Sequence, residues 1–428
     1  MGIFHAYDIR GKHADFSSEV VQHIARGFFD VMQPHTVVVG RDMRSSSEFI
    51  AQTLIQTLKD CGVHVIDIGV CSTPMSYFAN VHYKADGSLM VTASHNDASF
   101  NGIKVCAKDA VSLSYEDGLQ HIEQYTGTPE KKQGSVEQKN IHSSYIRFFI
   151  ERLRMEQPLR IVVDCANGMG GLDMALFAEN TLDISYIPLY WELDGSFPHH
   201  EANPVKPENI RYVQEQVKQH PVDFGCAFDG DADRIVFVDE QGTVIGADIL
   251  LAFLADTLKP KKVIVDLRAS MCLEDVTSVV RSRVGHSYIQ KEMIHHKAQL
   301  GGELSGHYYF KDFYYADCAL FTLLHVVNIL SNSGKPLSEL VAPYQRYVQS
   351  GEHNFKVKDP SKLIEAIEHT YKGDTSIDGV LCKQEGYWFV VRKSNTEPLV
   401  RLTMEADSKH ILDEAFAQVQ KYITSFEQ

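Results

Sequence analysis

Leu89-Met90-Val91-Thr92-Ala93-Ser94-His95-Asn96-Asp97-Ala98-Ser99-Phe100-Asn101-Gly102-Ile103-Lys104-Val105 is the stretch on which the reading of this chain turns. Ser88 to Val91 is short and apolar, as a buried strand is, and it runs into a polar loop. The loop returns to a second apolar stretch, Ile103 to Ala107. Ser94 stands at the turn. A Ser-His-Asn run at a strand end serves turn formation as readily as nucleophilic chemistry, so its meaning depends on the rest of the chain.

Working outward, Thr36 to Gly40 reads as a buried strand, ending in Gly40-Arg41-Asp42-Met43-Arg44. Ser45 and Glu48 have the spacing of a capping box. Ile50, Leu54 and Leu58 recur every four residues, which predicts a helix that stops at Gly62. Val63 to Gly69 is the next strand, and Ser72-Thr73-Pro74 starts another helix. Strand, helix, strand is the unit of an α/β layer.

With 428 residues the chain exceeds one core, and about three or four domains are expected. It carries 41 Lys and Arg against 56 Asp and Glu, a net charge of −15, which opposes non-specific nucleic-acid binding. An anionic ligand would need cations gathered locally. No apolar run approaches the ~18 residues of a membrane span. Met1-Gly2-Ile3-Phe4-His5-Ala6 has no signal-peptide pattern, and Ala6 stands where a myristoylation signal wants Ser or Thr. The eight cysteines form no Cys-x-x-Cys pair, and their apolar surroundings fit buried thiols in a reducing, cytoplasmic setting.

Past a polar excursion from Tyr125 to Asn140, an amphipathic helix is expected over Ile141 to Leu153 and a strand over Arg160 to Val163. The glycines at 168, 170 and 171 lack dinucleotide-fingerprint spacing and read as a tight strand-to-helix turn. A Pro-rich loop, 194–209, ends at a helix start. Then come Asp229-Gly230-Asp231-Ala232-Asp233-Arg234 between two β-type runs. The pattern nearly mimics a calcium EF-hand. Arg234 stands where that loop needs glycine, however, and the flanks are rich in Val, Ile and Phe. A hard divalent ion held by few protein oxygens fits better, since three like charges this close call for a cation.

Downstream, a helix over Ile249 to Leu258 and a strand over Lys262 to Asp266 precede Leu267-Arg268. Glycines bracket Glu303, Ser305 and His307, which would share one face of an extended segment. A linker around Ser331 to Lys335 and a helix through Tyr347 lead to a β-α-β-β-β-α pattern. Its loop Arg392-Lys393-Ser394-Asn395-Thr396-Glu397-Pro398, with Arg401 beyond it, offers forked donors and hydroxyls to a phosphate.

These motifs, with Tyr7-Asp8-Ile9-Arg10-Gly11 at the start, resemble the α-D-phosphohexomutase family, in its phosphomannomutase/phosphoglucomutase branch, over nearly the whole chain. The resemblance implies an α/β fold of four domains around one central cleft. Three are similar mixed-sheet α/β domains and the last is α+β with an antiparallel sheet. The expected bounds are 1–140 with the phosphoserine loop, 141–245 with the metal loop, 246–345 with the sugar loop and 346–428 with the phosphate loop.

It also implies a phosphorylated Ser94, with Mg²⁺ held by Ser94, Asp229, Asp231 and Asp233. Arg10, Lys104 and His307 become catalytic candidates for moving a proton. Tyr7, His95, Asn96, Arg234, Arg268, Arg283, His286, Glu303, Ser305, Arg392, Ser394, Asn395, Thr396 and Arg401 become substrate contacts. The implied reaction isomerises hexose 1-phosphate and 6-phosphate through hexose 1,6-bisphosphate. The implied partner is a small phosphosugar, with no nucleic acid or membrane, and the chain would be a monomer or weak homodimer.

Some positions depart from the family pattern. Asp97 replaces a usual proline and puts a carboxylate in the serine loop; Arg268 and Arg283 stand where lysine is common. Leu304 stands where the mannose and glucose enzymes usually have methionine and phosphoglucosamine mutases glutamine; its apolar side chain favours mannose or glucose phosphates over that alternative.

Overall fold

The structure, a computed structural model, describes residues 2–127, 130, 132–374, 377, 379–393 and 399–426. The chain divides into two compact units: Met1–Gly246 with Ser305–Leu340, and Ala247–Leu304 with Val341–Gln428.

The first unit opens with a six-stranded mixed sheet. Its order is Ile9–Lys12, Phe100–Ala107, Gly87–Val91, Thr36–Arg41, His64–Val70, Ser135–Gln138. Gly87–Val91 lies parallel to Thr36–Arg41 and antiparallel to Phe100–Ala107. Alternate residues Val37, Val39, Val63, Val65, Leu89, Val91, Ile103 and Val105 form one core with Ile24, Phe28, Ile50 and Leu54 from the helices Ser18–Met32 and Ser47–Asp60. The period-2 strand pattern and the spacing-four helix pattern meet there. Val38, Ile66 and Met90 on the other face are buried too, as expected of a largely parallel sheet covered on both sides.

The helix predicted after Thr36–Arg41 is present, but its cap is not the one expected. It begins at Ser47, and Ser46 at its N-cap makes no side-chain cap bond. Ser47 Oγ donates to buried Asp42 at 2.5 Å, and Glu48 pairs with Arg41. Of the expected box, Glu48 is taken by Arg41, and Ser45 lies one residue before the N-cap. The start at Ser72 holds: its side chain accepts from Met75 N at 3.2 Å, ahead of the helix Thr73–His82.

A second sheet in this unit runs Val244–Ile245, Ile235–Asp239, Phe224–Phe228, Leu159–Asp164, Ile184–Leu189. The tight turn after Leu159–Asp164 places Ala166 and Asn167 at φ 46° and 57° before the helix Gly170–Ala178. The helix Ala319–Ser333 runs through the expected linker and ends at Gly334, φ 65°. Beyond it lie a short helix, Leu337–Val341, and a 3-10 turn, Ala342–Tyr344, where a helix through Tyr347 was expected. Pro343 has no N–H to extend that helix.

The second unit holds parallel strands Val263–Asp266, Val279–Ser282 and Leu300–Gly302. It also holds a four-stranded antiparallel sheet, Val348–Lys356, Leu399–Ala406, Tyr387–Lys393, Val380–Gln384. One face of that sheet carries the helices Pro360–Tyr371 and Lys409–Thr424. Among the described residues no helix is long and apolar enough to cross a membrane, and all eight cysteines are buried and unpaired.

Candidate active site

Ser94 follows the strand Gly87–Val91 and sits in the left-handed region at φ 51°, uncommon for a residue with a side chain. Local bonds hold it there. Ser94 N donates to Thr92 Oγ1 at 3.0 Å, and Asn96 N to Ala93 O at 3.1 Å.

The larger support is Arg44, which no sequence motif singled out. Its Nε donates to Asp42 Oδ2 at 3.0 Å. Its Nη1 donates to the carbonyls of Asp97 and Phe100 at 2.7 and 3.1 Å, and its Nη2 to those of Ser94 and Asn96 at 2.8 and 2.7 Å. All five donors of a planar guanidinium are therefore in use, four on the serine loop and the fifth on Asp42. Phe197 stacks on this guanidinium, its ring centre 5.0 Å from Cζ, so the Pro-rich 194–209 loop backs the serine loop. The available signal was a second arginine just after Thr36–Arg41 in a chain of net charge −15.

The three aspartates lie in the connection between the antiparallel strands Phe224–Phe228 and Ile235–Asp239, with Ala232 at φ 64° tightening the turn. Gly230 fits because a Cβ there would overlap Ser94 O, so the two loops touch backbone to backbone. Ser94 Oγ donates to Asp229 Oδ2 at 2.9 Å. Asp229, Asp231 and Asp233 are buried, and one carboxylate oxygen from each lies within 4.8 Å of the others. Asp231 Oδ2 accepts from Thr73 Oγ1 at 2.6 Å and faces Lys104 Nζ at 2.8 Å. Asp231 Oδ1 is buried without a hydrogen-bond partner among the described residues. An orphaned oxygen in a cage of hard donors fits a divalent cation.

Charge is unevenly shared. Burial, then Asp233 and Asp231, pushes Asp229 well above the ordinary carboxylate range. Burial acts the same way on Asp233, but Lys104, His307 and Arg234 overcome it and hold that carboxyl well below its usual value. Lys104 lies against both Asp231 and Asp233; burial works against its charge, and those carboxylates more than restore it.

Other expected residues gather in this unit. Arg10, on a strand paired with Phe100–Ala107, donates to Asn96 Oδ1 at 2.7 Å and pairs with Asp8; Tyr7 bears on its charge. His95 Nδ1 lies 3.2 Å from Ser94 Oγ. Arg234, followed by burial and Arg10, holds His95 well below the usual imidazole value, so it is neutral at pH 7. Ile235 N donates to Gly306 O at 3.0 Å, which docks Ser305–His307 on the aspartate loop. Arg234 Nε donates to His307 Nε2 at 3.2 Å, and His307 Nδ1 lies 2.8 Å from Ser305 Oγ. Asp317, which no motif marks in the sequence, is 3.6 Å from His307 Nε2; burial and Asp233 push its carboxyl up to about 7.

Glu303, Ser305 and His307 do not share an extended face. The chain turns after Gly302, with Gly306 at φ 87°. Glu303 belongs to the second unit, where its Oε1 accepts from Gly285 N at 2.8 Å beside His286. In that unit Arg268 forks onto Asp266, with Nε and Nη2 both at 3.0 Å, and Arg283 stacks on Tyr288. Arg392 and Arg401 converge on Glu352. Ser394, Asn395 and Thr396 lie outside the described residues.

The chain matches four domain descriptions in order. Residues 1–133, 143–242 and 243–347 match "Phosphoglucomutase/phosphomannomutase, alpha/beta/alpha" domains I, II and III. Residues 352–421 match the C-terminal domain of the same family. "Phosphohexose mutases" of Xanthomonas campestris pv. campestris is 35% identical over 425 residues, covering 94% of each chain. "Phosphomannomutase" of Escherichia coli is 33% identical over 430 residues, again covering 94% of each. A crystal structure of a phosphoglucomutase/phosphomannomutase family protein from Burkholderia thailandensis superposes with a TM-score of 0.90 at 28% identity, over 99% of this chain and 97% of that one. With its serine and aspartate loops in contact, and four matched domains in order from residue 1 to 421, this chain belongs to the phosphoglucomutase/phosphomannomutase family.

Proposed function

We propose that this chain is a phosphohexomutase that interconverts hexose 6-phosphate and hexose 1-phosphate, of mannose or glucose, through phosphorylated Ser94 and a hexose 1,6-bisphosphate. The observation that carries the reading is the 2.9 Å bond from Ser94 Oγ into the aspartate cage. A serine at that point has its reacting oxygen beside the groups suited to neutralise phosphoryl charge.

Asp229, Asp231, Asp233 and the Ser94 oxygen are the groups that would hold Mg²⁺. When bound, Mg²⁺ supplies the positive charge that phosphoryl oxygens need in transfer. The remaining work falls to the chain. Arg44 and Thr92 fix the Ser94 backbone, so attack and departure occur at one place. Arg234, 3.7 Å from the Asp229 oxygen that Ser94 bonds, and Arg10, bonded to Asn96, add fixed positive charge. In the first half-reaction the bond from Ser94 Oγ to phosphorus breaks, and a bond from phosphorus to the sugar hydroxyl forms. The hydroxyl proton must leave. Arg10 does not deprotonate, and Lys104 is held as an ammonium by its carboxylates. We assign the proton to His307 Nε2, which can accept it when Arg234 gives up its bond there, with Nδ1 held by Ser305. The second half-reaction returns the other phosphoryl group to Ser94.

The proposed substrate grip comprises Tyr7, His95, Asn96, Glu303 and Ser305 for the sugar and its near phosphate. Arg268, Arg283, His286, Arg392, Ser394, Asn395, Thr396 and Arg401 take the non-reacting phosphate. We propose domain bounds of 1–140, 141–245, 246–345 and 346–428, a cytoplasmic location, and a monomer or weak homodimer. The eight buried unpaired cysteines support a reducing compartment.

A coupled assay with Mg²⁺ and a trace of glucose 1,6-bisphosphate tests the reading. It compares mannose 1-phosphate, glucose 1-phosphate and glucosamine 1-phosphate at equal concentration. Turnover of the first two above the third, phosphate on Ser94 by mass spectrometry and loss of turnover in Ser94→Ala are expected. Full turnover in Ser94→Ala overturns it.

A further inference from the structure

Three guanidinium groups surround one carboxylate in the second unit. Arg392 Nη2 lies 3.0 Å and Arg268 Nη1 3.6 Å from Glu352 Oε2, and Arg401 Nη1 lies 3.2 Å from Glu352 Oε1. The antiparallel register sets Arg392 directly opposite Arg401 on adjacent strands. Like charges placed so repel one another unless an anion lies between them. Glu352 is that anion. It sits where a bulge, with Gly351 at φ 75°, interrupts the strand Val348–Lys356, two residues before Asn354, the register partner of Arg401. Residues two apart on a strand share a face, so Glu352 points toward the same side as Arg401.

The pairing is incomplete in a telling way. Arg392 Nε and Arg401 Nε are buried donors with no acceptor among the described residues. Asp266 already neutralises Arg268 through two bonds of 3.0 Å. Glu352 then offsets one of the two remaining charges, leaving an excess of one. A phosphate monoester near −2 is matched when Glu352 gives up the forks, which leaves an excess of two. The carboxylate itself stays ionised: burial raises its pKa, but the Arg392 bond and the three positive charges bring it below the ordinary value.

We propose that Glu352 is an internal counter-anion, a positioning residue that holds the Arg392 and Arg401 forks between substrates and competes for them with the substrate's phosphate. This rests on the mutase reading, and it adds a purpose: a bisphosphate that must turn around needs a clamp that lets go. Glu352 keeps the two cations together without a ligand and lowers the affinity of the loaded clamp, which favours release.

The test is glucose 1-phosphate binding by calorimetry to dephosphorylated full-length protein, beside steady-state kinetics. Glu352→Gln is expected to bind about 10-fold tighter, with KM and kcat both lowered, and Glu352→Asp to stay near wild type. Unchanged or weaker binding by a folded Glu352→Gln protein overturns the proposal. Should that variant not fold, the pair Glu352→Gln with Arg401→Gln removes the anion together with one opposed cation. It is expected to bind within about 3-fold of wild type, and a larger change in either direction overturns the proposal. Binding is read separately from turnover. A wild-type chain without mutase activity would refute the functional reading, while tighter binding in Glu352→Gln would still uphold the counter-anion.

Discussion

Arg44 Nη2 donates to the backbone carbonyl of Ser94 at 2.8 Å, from a side chain with 1% of its surface exposed. The same guanidinium holds the carbonyls of Asn96, Asp97 and Phe100, so one side chain fixes the path of the loop on both sides of the serine. Lysine has a charge but three donors and no planar fork. Arg44→Lys should therefore keep the fold and lose the loop's placement. We expect turnover to fall about 100-fold, with an unchanged far-ultraviolet spectrum. Arg44→Ala should do worse, costing about 3–5 kcal/mol in denaturant melts, because it strands Asp42 as a buried charge.

Thr73 bonds Asp231 twice: Oγ1 to Oδ2 at 2.6 Å, and backbone N to the Asp231 carbonyl at 3.0 Å. Its hydroxyl aims a carboxylate whose other oxygen is the orphan of the cage. Groups that orient metal ligands commonly contribute ~10–100-fold in affinity. Thr73→Val keeps the shape and deletes the donor. Mg²⁺ titrations of activity, and of tryptophan or calorimetric signal without substrate, should show an apparent Kd raised about 10-fold. An unchanged Mg²⁺ dependence would mean that Thr73 does not orient a metal ligand.

Much of this was legible in the chain itself. The alternation of Val37 and Val39, and the every-fourth-residue spacing of Ile50, Leu54 and Leu58, predict the elements observed, because burial on one face is a local property. Asp229, Asp231 and Asp233 stand out because three carboxylates so close together call for a cation, and Ser94 stands out only beside them and the other motifs. Arg44, Thr73, Asp317 and Glu352 did not stand out. Each acts on a residue far along the sequence, such as Thr73 on Asp231, or through backbone carbonyls that a sequence does not display. The expected shared face of Glu303, Ser305 and His307 failed for a related reason: Gly306 permits a turn whose direction is set by its bond to Ile235.

Asp173 gives a pH test away from the chemistry. It is buried in the helix Gly170–Ala178, accepts from Tyr145 Oη at 3.2 Å, and has its carboxyl pushed up to about 7 by burial. A carboxyl whose folded pKa lies above its unfolded one favours folding in its protonated form. That contribution is fully present below about pH 4 and lost as the pH rises through about 7. Asp173→Asn stays neutral throughout. Thermal melts should show little difference between variant and wild type at pH 4, and a more stable variant at pH 8, by up to about 4 kcal/mol. The reverse order at pH 8 would show that the ionised carboxylate is stabilised by groups beyond Tyr145, its hydrogen-bond donor.

Asp97 puts a carboxylate in the serine loop, and its side chain is engaged by Ser99. Asp97 Oδ1 accepts from Ser99 N at 2.8 Å and Ser99 Oγ at 2.5 Å on the exposed side of the loop. Those bonds, the side-chain one first, hold its carboxyl below the ordinary range. The loop depends on Asp97 for its carbonyl, which Arg44 grips, and proline keeps a carbonyl. Asp97→Pro therefore removes a solvent-side turn and a charge, and it stiffens the chain entering Arg44's grasp. Turnover should stay within about 3-fold of wild type, with the Mg²⁺ dependence unchanged. A loss of Mg²⁺ response would place the Asp97 carboxylate among the metal ligands when the cation is bound, and the Ser99 turn would then be a resting position it leaves.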